Sequence, residues 1–295
     1  MKESFVVALN ISFIAAVWIL SICLFLKLRK RLWSIDKGEE QEQEDGKGVS
    51  LPAHWLSCSR GDVGLRILFA YRTMVALYCL GVCMYTWFNR VRVVDKPHEY
   101  VQAFPGELRF YTIWNFHILT IFFILASYVT WKRWGDAQSA PSTTCERIAA
   151  SIQSVEAPCT IIIAIVVWTV LYPGLNKSHP GFGDVKFINF SSLNMHAINI
   201  VTVFLDFFSS RLAIMLRHIV FILLWGTTYA MFHSIVWLVT GFYAYPFMNP
   251  RLPSGTVWLI GILAAHMLIF VAVQRASQST CRRQRNEADR LLQPV

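Results

Sequence analysis

The side chains able to do chemistry in this chain stand where such groups are costly to keep, inside long apolar stretches. Thr112, Asn115, His117, Asn194, His196, Asn199, His233 and His266 all do so, as do Arg72, Glu156 and Asp206. A threonine hydroxyl is a weak nucleophile and needs an adjacent base, normally imidazole, to take its proton. Thr112 and His196 supply one of each. Asn115 and Asn199, each about one turn beyond a member of that pair, are candidates to hold an oxyanion or orient the imidazole. Four histidines also invite a metal or haem reading, because neutral imidazole is the commonest metal ligand. No two of them lie at i, i+3 or i+4, no HxxxH occurs, and no carboxylate shares their depth, so no metal and no cofactor is expected. The plainer reading of the whole set is hydrogen bonding between helices, worth ~0.6 kcal/mol a contact in membranes. On that reading Thr112 is a helix-start hydroxyl serving backbone donors.

The elements that must position these groups follow from composition. Of the 295 residues, 55% are hydrophobic and 15% charged, against ~25% charged in soluble domains. Mean hydropathy is +0.45. This excludes a soluble enzyme and a disordered or fibrous chain. A bilayer core of ~30 Å takes about 20 apolar residues in helical form. Seven stretches fit: 5–26, 66–88, 110–131, 148–172, 187–209, 218–240 and 255–274. The expected fold is therefore all-α, a polytopic transmembrane helical bundle of seven spans. Its parts are an N-terminal anchor and basic stop over 1–31, an acidic linker over 32–65, a six-helix core over 66–275 and a basic tail over 276–295. With the N-terminus outside, the inner segments carry 18 of the 27 Lys and Arg, which satisfies the positive-inside rule and puts the C-terminus in the cytoplasm. The net charge of +9 then reports orientation and calls for no nucleic acid. The seven Cys, odd in number and without CxxC, give no disulfide framework. The tripeptide Arg60-Gly61-Asp62 falls on the inner side and reads as chance. Asn176-Lys177-Ser178 is a sequon in an outer loop.

On this orientation the polar groups fall into two layers. Thr112, Asn115, His196, His233 and His266 occupy the outer half or the midplane. Arg72, Glu156 and Asp206 lie towards the inside and are expected to form a structural ion cluster. The fifth stretch is the most informative: Ser192, His196, Asn199, Thr202 or Val203, and Asp206 recur at helical spacing on one face, which must turn inward.

Four segments carry a likeness to a known family. They are Phe110-Tyr111-Thr112-Ile113-Trp114-Asn115-Phe116, Leu193-Asn194-Met195-His196-Ala197-Ile198-Asn199 leading to Asp206, Tyr229-Ala230-Met231-Phe232, and Gly241-Phe242-Tyr243-Ala244-Tyr245-Pro246-Phe247. In order and spacing over 66–275, six of the seven spans, they resemble the androgen-induced protein family and its rolling-stone relatives. In the androgen-induced branch the resemblance implies an intramembrane threonine hydrolase of fatty acid esters of hydroxy fatty acids. Thr112 is then the nucleophile and His196 the base, with membrane lipids and a lipid ester as partners. The residues before His196 match that branch only loosely. Rolling-stone members imply instead a non-enzymatic protein of cell adhesion or fusion. A transporter or haem carrier built on the Arg72 layer or the histidines is the third reading.

Overall fold

The computed structural model describes residues 2–33, 61–92, 106–135, 144–178, 181, 184, 187–210, 214–241 and 243–292. These fold into helices and no strand. Helix α1 is Lys2–Trp33 and α2 is Gly61–Arg92. Helix α3 is Tyr111–Gly135, entered through a 3-10 turn at Gly106–Arg109. Helix α4 spans Thr144–Ser178, with a π segment at Val166–Leu171. Helix α5 covers 190–209 with a π segment at Asn194–Ile198. Helices α6 and α7 are Ile219–Thr240 and Pro253–Leu292.

Six of these helices are long and apolar enough to cross a membrane, and the chain is a multi-pass helical bundle. The fifth expected stretch, α5, is helical but stands outside those six. Its polar stripe lowers its hydropathy, and Ser192, Asn194, His196, Asn199 and Asp206 are all buried within the bundle. Many large apolar side chains face outward, among them Phe5, Leu205, Val239 and Leu268. In water such a surface would aggregate; against lipid it is the expected solvent contact.

Two bonds mark antiparallel helix pairs, α2 with α5 and α3 with α4. Thr86 at the end of α2 bonds Ser191 at the start of α5, and Arg133 near the end of α3 pairs with Glu146 at the start of α4. Helix α1 packs along α6: Asn10 Nδ2 donates to the Pro250 carbonyl, Trp18 Nε1 to Thr228 Oγ1, and Phe25 meets Phe221. It is the most peripheral of the long helices, with only 11% of its apolar window buried. The expected tail from 276 onward continues the last helix as far as Leu292. Glu, Gln, Arg and Ala favour helix, no Pro or Gly intervenes before Pro294, and α7 runs on to Leu292. The acidic run at 39–45 lies outside the described residues.

One glycine has a conformational duty at the end of α6. Gly241 adopts φ +70°, and its amide bonds the Trp237 carbonyl at 2.7 Å to close the helix. A Cβ in that left-handed conformation is costly. Gly241→Ala is expected to lower stability by about 1 kcal/mol, read as an earlier thermal transition of the detergent-purified protein.

Candidate functional site

Thr112 is the second residue of α3, and the start of that helix is held from three sides. The Phe110 carbonyl accepts from Ile113 and Trp114 amides. The Tyr229 hydroxyl of α6 donates to the Arg109 carbonyl at 2.6 Å. From the segment after α6, the Tyr245 hydroxyl accepts the Tyr111 amide at 3.0 Å, and Tyr245 lines the same cavity as Thr112 and Tyr229. Burial pushes the Tyr245 phenol up to about 12, so at neutral pH it stays an uncharged partner for these groups.

Thr112 lines a cavity of about 70 Å³ with wholly apolar walls. The π segment of α4 supplies Val166, Val167 and Leu171 to one side, α6 supplies Tyr229 and Ala230, and α7 supplies Leu259 and His266. A π turn places one extra residue in the helix and shifts the face that follows; such turns recur at functional sites.

His266 brings an imidazole to this cavity in a defined protonation state. Its Nδ1 bonds the Ile262 carbonyl at 2.8 Å. A carbonyl only accepts, so Nδ1 carries the hydrogen and Nε2 of the neutral ring presents its lone pair. That lone pair faces the Tyr111 hydroxyl at 3.1 Å, and the same hydroxyl meets the Cys159 thiol at 3.1 Å. His196 is fixed in the same tautomer, with Nδ1 on the Ser192 carbonyl at 2.7 Å. It lies in the π segment of α5, its ring edge-on to Phe187 and its carbonyl taking the Trp168 indole N–H. It does not line the cavity that Thr112 lines.

The other expected residues divide as follows. Asn115, one turn beyond Thr112, accepts from Trp225 through Oδ1, while its buried Nδ2 has no hydrogen-bond partner. Asn199 is reversed: Nδ2 donates to the Met195 carbonyl and Oδ1 is left without a donor. His117 takes the Trp87 indole N–H, and His233 takes the Ala244 amide. Among the described residues no group of three His, Cys, Asp or Glu is placed to hold a metal ion.

At the opposite end of the bundle, Arg72 and Asp206 form a fully buried two-point pair, Nε to Oδ1 at 2.6 Å and a second guanidinium nitrogen to Oδ2 at 3.2 Å. Thr130 and Gln153 complete it. Glu156 stands apart from this pair, and neither of its oxygens has a hydrogen-bond partner. The reason is helical register: Gln153, one turn earlier on α4, is the residue that meets Asp206. A second buried pair, Arg133 with Glu146, ties α3 to α4; the sequence reading had not singled it out.

Tyr111, Cys159, Tyr229 and Tyr245 were likewise not singled out as site residues. Three of them do fall in segments that carried the resemblance, and those three segments line one cavity, whereas the segment with His196 does not. No curated protein and no solved structure matches the chain. The sequence profile of the FAR-17a/AIG1-like protein family matches residues 71–278, covering α2 from Tyr71 through most of α7, and the chain belongs to that family.

Proposed function

We propose that this protein is an intramembrane hydrolase of lipid esters, with Thr112 as its nucleophile. Fatty acid esters of hydroxy fatty acids, or esters like them, are the substrate class that the resemblance implies. One observation carries the reading: Thr112 and His266, a hydroxyl-bearing and an imidazole-bearing residue, line the same apolar cavity inside the bundle.

The chemistry runs as an acyl transfer. The Thr112 hydroxyl gives its proton to an imidazole Nε2 as its oxygen bonds the ester carbonyl carbon. The carbonyl oxygen becomes an oxyanion, for which Asn115 Nδ2, one turn beyond Thr112, is the candidate donor. Collapse breaks the ester C–O bond, and the leaving alkoxide takes the proton back. Water then attacks the acyl-threonine, with the same imidazole as base. His196 is the base by resemblance, whereas His266 is the imidazole on the cavity. The Tyr111 hydroxyl that bonds His266 Nε2 gives way when Thr112 delivers its proton. Substrate enters sideways from the leaflet beside the start of α3.

The test is covalent labelling of the purified protein with a serine/threonine-directed fluorophosphonate. Wild type is expected to label and Thr112→Ala to lose the label. Equal labelling of the two, or no labelling of either, overturns the assignment.

A further inference from the structure

A second and smaller pocket adjoins the Thr112 cavity. Ala230, Met248 and Leu259 line both, so the two share part of their lining. The far side of the smaller pocket is formed by α1, through Asn10 and Ile14. Helix α1 lies outside the family match at 71–278.

Asn10 is an unusual residue to find there. It is 4% exposed on an otherwise lipid-facing helix. Its Nδ2 donates to the Pro250 carbonyl at 2.8 Å, which fixes the side chain, and its Oδ1 has no hydrogen-bond partner. A buried acceptor without a donor costs roughly 1–3 kcal/mol. Two other polar side chains of this pocket have bonds of their own, Ser234 donating to the Ala230 carbonyl and His233 accepting the Ala244 amide, while Thr256 completes the polar lining. The pocket measures about 20 Å³, room for one water-sized group. What fits is a single neutral donor, because a charged donor in apolar surroundings carries a heavy desolvation cost.

We infer that Asn10 is a specificity-determining residue, receiving through Oδ1 the hydroxyl group of an acyl lipid whose chain occupies the Thr112 cavity. The inference rests on the lipid-ester reading for the kind of molecule in that cavity, and on the Asn10 geometry for the hydroxyl. It makes α1 part of the site, the helix that selects hydroxylated lipids over plain ones.

Binding is measured on full-length Thr112→Ala protein in nanodiscs, so that turnover plays no part. Titrations compare 12-hydroxystearic acid with stearic acid, and monostearin with methyl stearate. A preference of roughly five-fold for the hydroxylated member of at least one pair is expected, and which pair shows it identifies the hydroxyl as mid-chain or glyceryl. Asn10→Leu is expected to bring that ratio to about one. Ile14→Phe, which fills the pocket and leaves the Asn10–Pro250 bond in place, is expected to do the same and serves if Asn10→Leu does not fold. A ratio near one in the Thr112→Ala background, as from a pocket that holds only water, or a preference that survives both substitutions, overturns the inference. Loss of the fluorophosphonate result with the hydroxyl preference intact would instead remove the hydrolase and leave the pocket.

Discussion

Thr112→Ala protein is expected to hydrolyse a lipid ester at least ~10⁴-fold more slowly than wild type while keeping its fold. Removing the nucleophile of a nucleophile–base unit abolishes the covalent route and leaves only binding and oxyanion stabilisation. Alanine lacks only the hydroxyl and a methyl, and α3 starts on the Phe110, Tyr229 and Tyr245 bonds, none of which requires the threonine side chain. The imidazoles are separated by the same assay. Loss of a general base costs ~10²–10⁴-fold, and the geometry expects that loss in His266→Ala, since His266 lines the cavity with Thr112. If His196→Ala takes the loss and His266→Ala retains wild-type turnover, α5 must approach Thr112 during the reaction and His266 is structural. Full activity of Thr112→Ala would end the mechanism whichever histidine matters, and would turn attention to the adhesion reading.

Arg72→Met is expected to be the most destabilising single substitution in the bundle, by about 3–5 kcal/mol. Arg72 and Asp206 are both 0% exposed, and the guanidinium bonds Asp206 at two points and Thr130 at a third. Without it, Asp206 keeps the Gln153 amide alone among these partners, an uncompensated carboxylate far from water. The double variant Arg72→Met with Asp206→Leu removes both charges and is expected to recover most of the loss, because a buried pair is often no better than apolar residues of similar volume. Unfolding in mixed micelles reads both. A structural clamp predicts a folded double variant that still labels with fluorophosphonate. A double variant that is folded yet inactive would show the charges acting in function.

How these parts were read from sequence depended on the range of the interaction. Helical stretches and their apolar character are local properties, so the seven helical stretches and their approximate positions were visible from residue type and spacing, although only six of them qualify as spans. The inward turn of Ser192, His196, Asn199 and Asp206 was equally legible, because a polar stripe has no other tolerable place in lipid. Helix limits were less so: α7 runs to Leu292 since nothing in 276–292 stops it, although its charge had suggested a separate tail.

Partner choice was a different matter. The sequence put Arg72, Glu156 and Asp206 at one depth, but only the rotation of α4 decided that Gln153, and not Glu156, meets Asp206. Depth likewise made Thr112 and His196 compatible, while the packing of α7 against α4 and α6 brought His266 to the Thr112 cavity. The two π segments, which reset the faces of α4 and α5, left no mark that residue spacing reveals. Asn10 looked like an unremarkable polar residue in an anchor until α1 was seen to close a pocket with it. The sequence by itself determined that this chain is a membrane bundle with a threonine hydroxyl and imidazoles buried inside. Which imidazole lines the cavity with Thr112, and which acceptor is left open, was decided by helix rotation and packing, because depth is written along one helix and contact only between two.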